Sequence, residues 1–204
     1  MAAKIYLGRY LAEDDSMNSP VLRLMELVLA LSGLALSLPI LLIVFLLGLF
    51  DTGSPLFFQQ RVGKNQRLFT LIKFRTMALA TASVATHQVD SSAVTRLGRF
   101  LRRTKLDELP QLINVLKGEM SLVGPRPCLP SQQQLIEERA LRGVLLVRPG
   151  ITGLAQVNGV DMSDPVRLAA IDQQMLDTLT LGAYFKYLLL TVLGRGAGDH
   201  IQGK

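Results

Sequence analysis

One cysteine, Cys128, in 204 residues leaves no intrachain disulfide and no cysteine-rich metal site. It follows a proline-rich turn with nothing nearby to make a thiolate, so an inert thiol in a reducing, cytoplasm-facing location is the expectation. The two histidines, His87 and His200, lie in polar, loop-like stretches and are poor candidates for metal binding or acid–base work. Aromatic residues make up only 6% of the chain and few interleave the basic ones. No nucleic-acid recognition module is visible either, so a nucleic-acid partner is not expected. No internal repeat is evident.

What the chain does have is grease and positive charge. Nearly half its residues are apolar, 49%, yet the net charge is +6. That combination points to membrane surfaces and phosphorylated substrates. The length suits one principal domain with an appendage.

The grease is concentrated in "LVLALSGLALSLPILLIVFLLGLF", Leu27 to Phe50, which carries no charge. As a straight helix it reaches roughly 36 Å, enough to cross a bilayer core of about 30 Å. Glu13, Asp14 and Asp15 in the long preceding region, and the length of the run, argue against a cleaved signal peptide. Pro39 sits near the middle, removing a backbone donor and crowding the preceding turn. Lys4, Arg9 and Arg23 precede the segment, and Arg61, Lys64, Arg67, Lys73 and Arg75 follow it, so both flanks ask for the cytoplasmic side. A hairpin within one leaflet satisfies both flanks. A single span must export one, although prolines are common in spanning helices, and on physics alone the span is preferred.

Downstream, "DTGSP" (Asp51 to Pro55) is turn-like, and "LFFQQRV" and "RLFTLIKFRTM" predict a small β-hairpin around Gly63-Lys64-Asn65. Residues 78–93, rich in Ala, Ser and Thr, predict a surface loop able to act as a lid. In "TRLGRFLRRTKL", Leu97, Phe100 and Leu101 form one helical stripe, with Arg96, Arg99, Arg102 and Arg103 around it. Leu109, Leu112, Ile113 and Leu116 predict an amphipathic helix with Pro110 in its first turn and an exit at Lys117-Gly118. Gly124-Pro125-Arg126-Pro127 predicts a rigid loop, Ser131 to Arg142 a polar helix, and Ala183 to Gly194 an apolar helix suited to the core or to the membrane interface.

Two explanations compete for the adjacent acids Asp107 and Glu108. Thr104-x-x-Asp107 has the form of a capping box, and acids at a helix start complement its dipole. Alternatively, Arg102, Arg103, Lys105 and Arg126 create a positive field suited to a phosphate-bearing substrate. A carboxylate there is expected to keep a low pKa, as a nucleophile or Mg²⁺ ligand rather than a base. Neighbouring helical residues point about 100° apart, which fits a facing glycosidase pair poorly. Taken singly, Arg126 and Arg148 read as solvated loop cations or phosphate ligands, and Lys73 and Arg75 as decoration of an edge strand.

Together, "FFQQRVGKNQRLFTLIKFRTM", "TRLGRFLRRTKLDELPQLINVLKGEMSLVGPRP" and "VRPGITGLAQVNG" resemble the successive signature blocks of the bacterial sugar transferases, the monotopic polyprenol-phosphate phosphoglycosyl transferases. The resemblance covers about Leu27 to Gly159 and is to the small, minimal type. It implies an α+β, mainly helical membrane-associated fold with a re-entrant helical hairpin broken at Pro39, a small β-hairpin and amphipathic interfacial helices. The implied parts are a polar lead-in (1–20), the hairpin (21–50) and a catalytic domain (51–204) on the cytoplasmic face of the bacterial inner membrane. The hairpin displaces the span preferred on physics alone.

The implied chemistry moves a sugar-1-phosphate from a UDP-sugar to a polyprenol phosphate with Mg²⁺, through a phosphosugar on Asp107. By motif position Asp107 is nucleophile and metal ligand, and Glu108 orients it or helps hold the metal. Arg126 and Arg148 bind phosphate, and Lys73 and Arg102 match further basic positions. Two departures are visible: Leu38 stands before Pro39 where serine is common, and Met175, near Asp172 in a segment expected to meet sugar or nucleotide, replaces a common aromatic. The competing hypothesis is a non-enzymatic basic protein holding anionic lipid or polyanions at the membrane surface. The sugar, the pathway and the oligomeric state, a homodimer included, are left open.

Overall fold

The computed structural model describes residues 19–79, 81 and 91–196. Most of the polar lead-in, the middle of the expected 78–93 loop and both histidines lie outside them.

Helix α1 (Pro20–Asp51) opens with proline at its first position and continues through Pro39 as one element. The expected break into two helices at Pro39 is thus not an interruption of the helix. Proline lacks one N–H, and the hydrogen-bonded turns on either side carry the backbone past it. The helix also begins before the uncharged run, because Arg23 and Glu26 pair with each other at 2.9 Å. Both ends pack on the rest of the protein. Ala30 is buried in the main core, while Val44 is buried against Phe74 and Leu101. Between them Leu31, Leu36, Leu38, Ile40, Leu42 and Ile43 are exposed, the reverse of what water selects.

Strands β1 (Leu56–Val62) and β2 (Leu68–Phe74) form the expected antiparallel hairpin, with Phe57 opposite Lys73 and Arg61 opposite Phe69. Its far edge is held by a side chain. Asn114, fully buried, accepts from Ile72 N at 3.1 Å and donates to Thr70 O at 2.8 Å, replacing a strand. Asn114 belongs to α3 (Gln111–Leu116), the core of the expected amphipathic helix.

Helix α2 (Arg96–Thr104) is capped by Thr95, whose Oγ1 accepts from Gly98 N. The Thr104 hydroxyl instead donates back to Phe100 O and Leu101 O, so the Thr104–Asp107 capping box does not form. Of the expected stripe, Leu101 is buried while Phe100 is exposed. Gly98 is the contact point: a Cβ there would lie 2.0 Å from Thr76 O. Gly98→Ala must push α2 off the hairpin exit, and a loss of about 1–3 kcal/mol is expected, read as a lower thermal midpoint. A parent-like midpoint would mean that the helix is not seated on Thr76.

A second sheet, with no alternation in the sequence to announce it, pairs β3 (Ser121–Val123) parallel to β4 (Gly150–Thr152). Gly124 and Gly150 meet at its end, where a Cβ on Gly150 would lie 2.0 Å from Gly124 N. The remaining helices are α4 (Gln133–Leu141), α5 (Leu154–Val157), α6 (Pro165–Thr178) and α7 (Leu181–Val192); α4 packs on α6, and α7 packs on both strands of this sheet. Tyr184 and Tyr187 of α7 enter the core, while Leu181, Phe185, Leu189 and Val192 line its exposed side.

Candidate active site

The acid pair sits where the chain changes direction between α2 and α3. After Thr104 the backbone passes through Lys105 in the left-handed region, φ 58°, and Leu106–Glu108 make one 3₁₀ turn. This turns Asp107 inward, to 7% exposure, and leaves Glu108 half-buried. Arg126 Nη2 lies 3.4 Å from Glu108 Oε1.

Three of the four expected basic residues gather here. Lys73, Arg102 and Arg126 all act electrostatically on Asp107. Lys73 faces inward from β2, its Nζ 5.4 Å from the Phe57 ring centroid. Arg102 lies one turn beyond Gly98 on α2; its Nε donates to Thr76 Oγ1 at 2.9 Å. Its Nη1 is buried without a hydrogen-bond partner among the described residues. A buried donor left this way costs roughly 1–3 kcal/mol, a sacrifice that a ligand oxygen would relieve. Arg148 is not in this cluster. Its Nε donates to Gly118 O at 3.0 Å, past the far end of α3 from the acids. Arg75 caps the Ser54 and Leu56 carbonyls and is structural.

The expected low pKa of Asp107 is overturned. Burial, followed by the charge of Glu108, pushes it up to about 6 against the pull of Lys73, Arg102 and Arg126. Desolvation outweighs the cations because only the charged form pays it in full. Burial likewise lowers Lys73 to about 8, with Asp107 opposing and Arg61, Arg102 and Arg126 adding to the fall. Perturbation of an acid and a base side by side is common at reactive centres.

The loop carrying Arg126 is fixed by its carbonyls. Gly124 O accepts from Gln156 Nε2 at 3.3 Å, and Pro125 O from Gly150 N at 2.9 Å. Arg126 O accepts from Arg139 at 2.8 Å, Pro127 O from Arg61 at 2.9 Å, and Cys128 O from Val62 N at 2.9 Å. Arg61, Arg139 and Gln156 were not singled out as site residues, and a lone polar residue in a sequence carries no sign of burial. Asp172 and Met175 are each 1% exposed and belong to the interior, which corrects the expectation that they meet sugar or nucleotide. Asp172 pairs with Arg139, and the Met175 sulfur accepts from Leu154 N.

Among the described residues no three His, Cys, Asp or Glu side chains come together to hold a metal. The two adjacent acids still suit Mg²⁺, which ordinarily takes one or two carboxylates and completes its shell with phosphate oxygens and water.

The chain is 39% identical over 198 residues to an undecaprenyl-phosphate glucose phosphotransferase of Komagataeibacter xylinus, covering 90% of this chain but 37% of that protein. It is 40% identical over 171 residues to the uncharacterized sugar transferase EpsL of Bacillus subtilis, covering 83% of this chain and 84% of the other. To the UDP-glucose:undecaprenyl-phosphate glucose-1-phosphate transferase of Caulobacter vibrioides it is 40% identical over 182 residues, covering 83% and 67%. The model of one family, described as bacterial sugar transferase, matches residues 17–195, a span holding α1, the acid pair and every basic side chain gathered around it, and the chain belongs to that family.

Proposed function

We propose that the protein transfers a sugar-1-phosphate from a UDP-sugar to a membrane polyprenol phosphate, of the undecaprenyl kind, and so begins assembly of a glycoconjugate. The observation that carries this is an inward-turned Asp107 beside Glu108 and three cations, in a chain whose relatives are named for such transfers. An Asp107 oxygen attacks the sugar-bearing phosphorus. The bond from that phosphorus to the UMP oxygen breaks, UMP leaves with the electron pair, and an aspartyl phosphosugar forms. A phosphate oxygen of the polyprenol phosphate then attacks the same phosphorus and restores the carboxylate. Lys73, Arg102 and Arg126 hold the phosphoryl oxygens as charge shifts between them. Glu108 keeps Asp107 oriented and, with it, would hold Mg²⁺. When bound, Mg²⁺ supplies charge neutralisation on the diphosphate. Arg148 serves the phosphate-bearing substrate only by way of the α3 exit it holds.

The direct test is UMP release from a panel of UDP-sugars without lipid acceptor, together with mass spectrometry of Asp107. Salt-sensitive liposome binding with no nucleotide turnover would replace this proposal with a non-enzymatic lipid or polyanion binder. The pH dependence has a definite sign. The attacking form of Asp107 is the carboxylate and the useful form of Lys73 is the ammonium, so kcat/KM should rise through about pH 6 and fall through about pH 8. Added Mg²⁺ favours the carboxylate and should move the acidic limb downward. A profile flat across that window would remove both groups from the reaction.

We also place α1 in one leaflet, entering and leaving on the cytoplasmic side of the inner membrane, with a bend near Pro39. Support comes from the basic flanks and from the burial of Ala30 and Val44, on opposite sides of Pro39, against the remainder of the protein. The exposed side of α7 lies in the interface beside it. Cysteines placed at residues 20 and 52 should label from the same side of sealed vesicles; labelling from opposite sides means a span.

A further inference from the structure

Arg139 of α4 and Asp172 of α6 form an ion pair that the proposed chemistry does not use. They are 2% and 1% exposed, among Cys128, Leu135, Ile136, Leu168 and Ala169. Arg139 Nε and Nη2 both donate to Asp172 Oδ2, at 2.9 and 2.6 Å. Asp172 Oδ1 is buried without a hydrogen-bond partner among the described residues. Such a pair is a poor way to stabilise a fold, because desolvation offsets its attraction and apolar residues of similar volume often do as well or better.

The third nitrogen gives the pair a different significance. Arg139 Nη1 donates at 2.8 Å to the backbone carbonyl of Arg126, the residue whose guanidinium lies 3.4 Å from Glu108. Pro125 and Pro127 fix φ on both sides of Arg126 and restrict the residues before them. With its carbonyl tied as well, Arg126 has little backbone freedom left. Asp172 in turn fixes the plane of the Arg139 fork, which a lysine would not have. We propose that Arg139 and Asp172 are positioning residues that act on the transferred phosphoryl group through Arg126. This rests on the phosphate-binding role of Arg126 proposed above.

The test is a double-mutant cycle on the full chain in detergent, read as UMP release. Arg126→Lys is expected to lower kcat/KM by about a hundredfold, and Asp172→Asn by roughly tenfold or more, mainly in kcat. Combined, they should do no more harm than Arg126→Lys alone, since the second change has lost the group through which it acts. Losses that multiply, as for independent sites or general loosening, would overturn the proposal. If Asp172→Asn does not fold, Arg139→Met with Asp172→Leu removes both charges together. That variant should keep the parent's thermal midpoint and still lose at least about tenfold in kcat; parent-like kcat in it overturns the proposal equally. A parent protein releasing no UMP from any UDP-sugar defeats the transferase proposal itself, and this one with it. An active parent with a multiplicative cycle defeats only this one.

Discussion

Asp107→Asn should end UMP release, with a fall on the order of 10⁴-fold, and should leave no phosphosugar on the protein. Asparagine keeps the shape of the side chain and loses its nucleophilic oxygen. The same change should stabilise the fold. Asp107 titrates at about 6 in the protein instead of the ordinary 3.8. Below the ordinary value the group is protonated whether the chain is folded or not. Between the two values the unfolded chain ionises and the folded one does not, so stability falls with rising pH until the folded group ionises too. At neutral pH the metal-free protein therefore carries a cost of roughly 3 kcal/mol, which asparagine removes. A dead variant with a raised thermal midpoint is the expected signature of a site that holds a reactive charge against its surroundings. UMP release at the parent's rate, or an adduct on another residue, would remove Asp107 as the nucleophile.

Glu26→Ala should produce the largest loss of stability. Glu26 lies on α1, 3% exposed, on a helix otherwise made for lipid. It accepts from Tyr184 Oη at 2.6 Å and from the Ser121 hydroxyl, and pairs with Arg23 at 2.9 Å. Arg23 also donates to Met120 O at 3.2 Å and to Val115 O. Three elements, α1, β3 and α7, thus converge on one carboxylate, and Arg23 ties in α3 through Val115 O. The Tyr184 hydroxyl is held far above its ordinary pKa by burial, then by the charge of Glu26 and their hydrogen bond, and remains a donor at any working pH. Alanine leaves Arg23 without its counter-charge and the Tyr184 hydroxyl without its carboxylate acceptor, while Ser121 keeps Val123 O at 2.8 Å, at about 3–5 kcal/mol. In a chain of this size that lowers the thermal midpoint by on the order of 10 °C. Glu26→Gln keeps an acceptor for Tyr184 and should lose less. An alanine variant melting with the parent would mean that the network holds nothing together.

The parts legible in the sequence were those with a local pattern. The lipid-suited run, the β1–β2 hairpin around Gly63 and the amphipathic turn from Leu109 to Leu116 each announce themselves by period or by turn residues. The acid pair and three of its cations were legible through linked motif blocks. The parallel pairing of Ser121 and Val123 with Gly150 and Thr152 was not, because strands of three residues carry no usable alternation. Arg148 was given a phosphate-binding role by motif; a sequence does not show that its Nε donates to Gly118 O, at the α3 exit. The pKa of Asp107 was misjudged because a sequence shows neighbouring charges but not how much water is excluded. Thr104 looked like the start of one helix and is the end of another, since the left-handed Lys105 separates the two.

The partners of Glu26 also set an order of events. Tyr184 lies 158 residues further along the chain. At a synthesis rate of about 5–20 residues per second, the carboxylate waits roughly 8–30 s for its distant hydroxyl. During that interval α1 presents an incompletely matched acid to whatever receives it, with Arg23 close by and Ser121, 95 residues on, the next partner to emerge. A nascent chain of this protein therefore cannot complete the anchoring of α1 until α7 has been made.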